Sequence, residues 1–153
     1  MSGSRILGLD PGEARIGVAL SDPLGIIAQP HAVLDRRHGD VMAELRRIVA
    51  ENDVDLIVVG LPIGLAGGEG PAAARARDLG QRVAEDLGVS VEHYDERFTT
   101  VQAEAALLES GMRRDDRRAR RDMVAAALML QAYLDHRGSG GSRPTTPDGG
   151  TGP

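Results

Sequence analysis

Apolar positions define two short runs near the start of the chain, Arg5 to Asp10 and Ile16 to Ser21, the second setting Ile16, Val18 and Leu20 against smaller residues. Both read as strands, and the brevity of the DPGEAR segment between them predicts an antiparallel hairpin. A third run, Ile26 to Val33, predicts another strand, which Pro30 confines to a sheet edge. The period then changes. Val41, Leu45, Ile48 and Val49 fall on one stripe of a helix from Val41 to about Glu51, with Asp40 as its cap. Leu56 to Val59 is short, β-branched and wholly apolar, as befits a strand covered on both faces. After the loop GLPIGLAGGEGP, Pro71 opens a second helix with Ala72, Ala76, Leu79, Val83 and Leu87 on its apolar face, and Val89 to Tyr94 gives a fifth strand.

Each strand–helix–strand step favours a parallel, right-handed crossover, so the first, fourth and fifth strands should run side by side with their carboxyl ends on one edge. Two more helices are expected. One runs from a capping box at Thr99 and Gln102 to Ser110 and is closed by Gly111; the other runs from about Arg118 to Arg137. From Gly138 the apolar residues stop, so the pattern divides the chain into a folded domain, residues 1–137, and a disordered tail, residues 138–153. The fold class is α/β, with a five-stranded mixed sheet flanked by helices.

Asp10 ends the first strand, Asp95 and Glu96 end the fifth, and the edge they share is where open α/β sheets bind ligands. Asp122 falls on the stripe of Ala125, Ala126, Met129 and Tyr133, which turns an acid inward at the beginning of the last helix. Asp95 and Glu96 alternate in direction, so one of the two can join the cluster, and spacing does not choose between them. Three acids on one edge repel one another, and a divalent cation holds them ionised together. Oxygen ligands favour Mg²⁺ or Mn²⁺, whose chemistry at such a site is phosphodiester hydrolysis.

Composition narrows the classes. The 153 residues suit one domain. Cysteine is absent, which excludes thiol nucleophiles and thiolate metal sites and points to a reducing cytoplasm. All 18 basic residues are arginine, so neither a phosphate-loop lysine nor a Schiff-base lysine exists. No stretch has the length of a membrane span or the character of a signal peptide, so a soluble protein with no membrane partner is expected. The net charge of −5 argues against non-specific coating of nucleic acid, while the six arginines between Arg113 and Arg121 leave a local basic patch. Only Phe98, Tyr94 and Tyr133 are aromatic, so nucleic acid would be held by its backbone.

LGLDPGEARIGVA, IVVGLP with the Gly-rich segment after it, DERFTT and RRDMVAAALMLQAYL resemble, in order and spacing, the motifs of the YqgF family, also called RuvX. The resemblance spans nearly all of residues 5–137. It implies a ribonuclease H-like fold, kinship with Holliday junction resolvases, and a nuclease that matures the 5′ end of 16S ribosomal RNA. It also implies Asp10, Glu96 and Asp122 as the metal-binding, catalytic acids, and so selects Glu96 over Asp95, which is left to cap or orient the loop. One departure is Leu65, Ala66 and Gly67, where the family carries a polar loop.

Each signal has a plainer reading. Asp-Pro-Gly is an ordinary turn, and an acid early in a helix is favoured by the dipole alone. Arg118 and Arg121 are candidates to grip phosphates beside the acids, although a charge run is usually a solvated face. Arg15 and Arg97 are candidates of the same kind, each as apt for a structural ion pair. The four histidines show no ligand spacing. Two functional rivals stand beside an RNA-precursor nuclease: a junction-cleaving DNA endonuclease, and a non-catalytic RNA-binding or transcription-associated module. The DPG hairpin also resembles the start of sugar kinases and actin-like ATPases, but those need two such domains. Either a monomer or a homodimer is compatible with the sequence.

Overall fold

The computed structural model describes residues 4–64, 67–99 and 114–138. Five strands, β1 (Arg5–Pro11), β2 (Arg15–Ser21), β3 (Ala28–Asp35), β4 (Val54–Leu61) and β5 (Ser90–Asp95), form one sheet in the order β3-β2-β1-β4-β5. β1 pairs antiparallel with β2 and parallel with β4, and β4 pairs parallel with β5. The expected hairpin and shared carboxyl edge are therefore both present. α1 (Val41–Glu51) and α2 (Pro71–Leu87) cover one face, and α3 (Arg114–Gly138) covers the other. Asp40 caps α1 by accepting from the Ala43 N–H at 3.2 Å.

Strand alternation divides the core in two. Leu7, Leu9, Ile16, Val18, Ile57 and Val59 pack under α1 and α2, while Ile6, Ala19, Leu56, Val58 and Tyr94 pack under α3 with Ala126, Met129, Leu130 and Tyr133. The α3 layer lies unusually close to the sheet because β1 and β2 present glycines to it. A methyl group on Gly17 would sit 2.0 Å from the Asp122 carbonyl oxygen, and one on Gly8 would sit 2.9 Å from the Leu130 Cβ.

Three boundaries differ from the sequence reading. β3 starts at Ala28 rather than Ile26, because the Asp22 carboxylate accepts from the N–H groups of both Ile26 and Ile27, at 2.7 and 2.8 Å, and holds them in the preceding loop. The Gln131 side chain of α3 fixes the same point, accepting from the Ala28 N–H and donating to the Ile26 carbonyl. Pro30 does lie on an edge strand, beside a register irregularity between Val18 and Ala19. α3 begins at Arg114, not Arg118, and runs through Gly138, so Asp122 is interior to the helix rather than at its beginning. The plain reading of Asp122 as a helix-terminal acid is thereby removed. Glu96 belongs to a short 3₁₀ turn, Glu96–Phe98, rather than to β5. Beyond its expected cap Thr99, the helix expected to run to Ser110 lies outside the described residues, as do Leu65, Ala66 and the tail beyond Gly138.

Candidate active site

Asp10 is the last α3-facing position of β1, following Ile6 and Gly8. Its direct partner across the hairpin is Gly17. On its other side the register that sets Leu9 beside Val59 brings the end of β4, with Gly60, alongside. Asp10 is thus flanked by two residues without side chains, and the room they leave is taken up by Asp122 and Glu96. Glu96 reaches over the same ground: a methyl group on Gly60 would be 3.0 Å from its Oε2. Asp122 arrives from above, its carbonyl resting on Gly17. One strand, one 3₁₀ turn and one helix therefore bring Asp10, Glu96 and Asp122 to one face at one edge of the sheet.

The acids are not yet gathered around a common point. Asp122 Oδ2 accepts from Arg15 Nε at 2.7 Å, in a pair whose side chains are 30% and 35% exposed. Among the described residues no group of three His, Asp or Glu side chains is close enough to hold a metal ion. The donor set still suits a hard divalent cation, being all carboxylate in a space cleared by glycines. The Arg15 contact engages Oδ2 of Asp122, and Oδ1 is the second oxygen such an ion could use.

Asp95 takes a different part. It caps the 3₁₀ turn by accepting from the Arg97 N–H at 2.9 Å and binds the Arg97 guanidinium through both oxygens, Oδ2 meeting Nη2 at 2.6 Å. Burial would raise the Asp95 carboxyl, but the charge and hydrogen bonds of Arg97 outweigh it and hold the group below its usual range. Arg97 is thus an orienting partner of Asp95, and Arg15 of Asp122, while Arg118 and Arg121 are exposed on α3 together with Arg120. An aromatic group centred on buried Tyr94 adjoins the Glu96 turn: Tyr94 packs against Tyr133 and against the more exposed Phe98 and His136, and its hydroxyl bonds His136 Nδ1. Burial pushes the Tyr94 phenol up to about 12. The Gly-rich loop after β4 is pinned as well, by a bridge between Ile63 and Glu69 and by a two-pronged pair of Glu69 with Arg77 of α2.

Sequence reading did not find Gly17 and Gly60 as the space-makers, nor the Arg15–Asp122 pair. The glycines carried a usable signal, since glycine inside a strand marks a close approach. The ion pair spans more than 100 positions of sequence and carried none.

The family model described as "RuvX: Holliday junction resolvase" matches residues 4–136. This chain belongs to the RuvX family. RuvX relatives include a protein of Clostridium botulinum (strain Alaska E43 / Type E3), 46% identical over 132 residues that make up 86% of this chain and 96% of the relative. Another, from Nocardioides sp. (strain ATCC BAA-499 / JS614), is 47% identical over 143 residues, 90% of this chain and 92% of its own. Both carry the name "Putative pre-16S rRNA nuclease". The RuvX chain also superposes on Thermus thermophilus RuvC, solved in complex with a Holliday junction substrate, with a TM-score of 0.60 at 15% identity, covering 92% of this chain and 99% of that one. That likeness shows the ribonuclease H-like fold.

Proposed function

We propose that this RuvX protein is a divalent-cation-dependent nuclease that hydrolyses phosphodiester bonds in the 5′ segment of a 16S ribosomal RNA precursor, in the cytoplasm. The observation that carries the reading is the delivery of Asp10, Glu96 and Asp122 to one glycine-cleared face at the carboxyl edge of the sheet. Family membership and two relatives at 46% and 47% identity named for pre-16S rRNA support the substrate.

Asp10, Glu96 and Asp122 would hold the Mg²⁺ or Mn²⁺. When bound, that ion supplies Lewis-acid stabilisation of phosphoryl oxygens and generates a nucleophile from water near neutral pH. The chain's own residues set the stage. Asp10 is fixed by the β1 ladder, Glu96 by the Asp95-capped turn and the aromatic group beside it, and Asp122 by the seating of α3 on Gly17. Arg15 neutralises Asp122 across their 2.7 Å contact and would add positive charge beside the acids for a phosphate. Arg118 and Arg121 extend positive charge along α3 for the flanking backbone.

The test is to incubate the protein and Mn²⁺ with a 5′-extended 16S precursor fragment, single-stranded DNA and a four-way junction. Cleavage of the RNA is expected. Cleavage confined to the junction would assign a resolvase, and no cleavage with no Mn²⁺-dependent rise in Tm would assign a non-catalytic module.

A further inference from the structure

On the face opposite the acids, three arginines line one cavity, and among the described residues none of them forms an ion pair. Arg36 follows the last residue of β3, and its N–H donates to the Ala14 carbonyl at 2.8 Å, which ties it to the turn just beyond Asp10. Arg75 and Arg82 stand two turns apart on the same side of α2. Together they line a cavity of about 440 Å³, with Asp78, Gln81 and Glu85 on its rim. Arg36 Nε and Nη2 are buried and have no hydrogen-bond partner among the described residues. Glu85 accepts from Gln81 at 3.3 Å, and among the described residues neither Glu85 nor Asp78 forms an ion pair with any of the three arginines.

Such an arrangement is unfavourable as it stands. A buried donor without an acceptor loses its hydration and recovers nothing, and three guanidiniums around one space repel one another. The Arg36 guanidinium is correspondingly held below its usual range, first by burial and then by the charges of Arg75 and Arg82. An anion relieves both costs at once. Phosphate is the best match, because guanidinium forks pair with its oxygens two at a time, and the cavity has the volume of a small-ligand site.

We propose that Arg36, Arg75 and Arg82 form a phosphate-binding site for a backbone phosphate of the bound nucleic-acid strand, which passes over the β1–β2 turn from the acidic face to the α2 face. The inference rests on the nuclease reading for its ligand. The attachment of Arg36 to Ala14 is what favours a strand over a free phosphate, since the site begins where the acidic edge ends.

The test measures binding of a short single-stranded RNA in EDTA, where cleavage does not intervene, for the parent and for Arg75→Gln/Arg82→Gln, with inorganic pyrophosphate as competitor. The double variant should lose affinity on the order of tenfold, and its log K against log salt should flatten by roughly 0.7 per lost contact. Its Tm should equal or exceed the parent's because repulsion is relieved. Pyrophosphate should compete with RNA on the parent and do so far less on the variant. Unchanged RNA affinity and salt slope overturn the proposal, including the case where pyrophosphate binding alone is lost, which would mark a site for a free phosphate. Absence of RNA binding by the parent overturns it too. Should the double variant fail to fold, Arg82→Gln alone, at an exposed position, decides by the same readings. A parent that binds RNA through these arginines yet cleaves nothing with Mn²⁺ refutes the nuclease reading and leaves this site standing.

Discussion

The two faces of the sheet treat arginine in opposite ways. Under α3, Arg15 and Arg97 are each matched to one carboxylate, Asp122 and Asp95, by contacts of 2.7 and 2.6 Å. Under α2, Arg36, Arg75 and Arg82 share a cavity and, among the described residues, have no such match, and two nitrogens of Arg36 are buried without an acceptor. A charge that the protein satisfies itself is a positioning device, since it fixes where a neighbour sits before any ligand arrives. One that it leaves unsatisfied costs stability in the free protein, and the cost is recovered when a ligand supplies the missing oxygen atoms.

The most damaging way to break the matched face is Asp10→Asn. Loss of one cation ligand should raise the barrier by several kcal/mol, roughly a thousandfold or more in rate, and should shrink the Mn²⁺-induced rise in Tm. Cleavage assays beside melting curves with and without Mn²⁺ check both halves, and a structural Asp10 would leave both unchanged. Next comes Gly17→Ala, whose methyl group would meet the Asp122 carbonyl at 2.0 Å. Lifting α3 off β2 should cost about 3 kcal/mol, read as a lower midpoint in urea, and should weaken Mn²⁺ binding as Asp122 moves.

Arg15→Gln sharpens the contrast. The half-exposed pair contributes only about 1 kcal/mol after solvent screening, so the metal-free protein should lose about that much, while the Mn²⁺-induced rise in Tm grows because the ion no longer competes with a guanidinium. An Arg15 that stood idle like the α2 cluster would change neither number. Smallest is the contribution of Asp95. Its folded carboxyl lies below the ordinary value, so its stabilisation is complete above the unfolded pKa, near 3.9, and disappears as pH falls through the folded one. Asp95→Asn should remove that part of the acid dependence, under about 1 kcal/mol, visible as a flatter stability profile below pH 4 by chemical denaturation.

Much of this architecture was legible in the chain because it is local. Val41, Leu45 and Ile48 declare a helix by period, Leu56 to Val59 a buried strand by continuity, and Asp10 and the Asp95–Glu96 pair mark strand ends by where the apolar runs stop. Errors arose where a distant group overrode the local pattern. Ile26 and Ile27 are good strand formers, yet Asp22 and Gln131 bind their backbone and move the start of β3 to Ala28. The last helix was expected from about Arg118, but arginine is a strong helix former, and α3 begins a turn earlier, at Arg114. Residue types at the candidate site could be read, whereas pairing could not: which arginines meet a carboxylate depends on contacts such as Arg15 to Asp122, closed only by the folded topology.

The interior position of Asp122 in α3 also bears on motion. Helix ends fray, and opening of the first turn or two is among the least costly excursions a folded protein makes. More than two turns of α3 precede Asp122, and from Val124 onward the helix is seated on the sheet. Thermal unwinding can thus consume the arginine-bearing turns while the carboxylate behind them keeps its place.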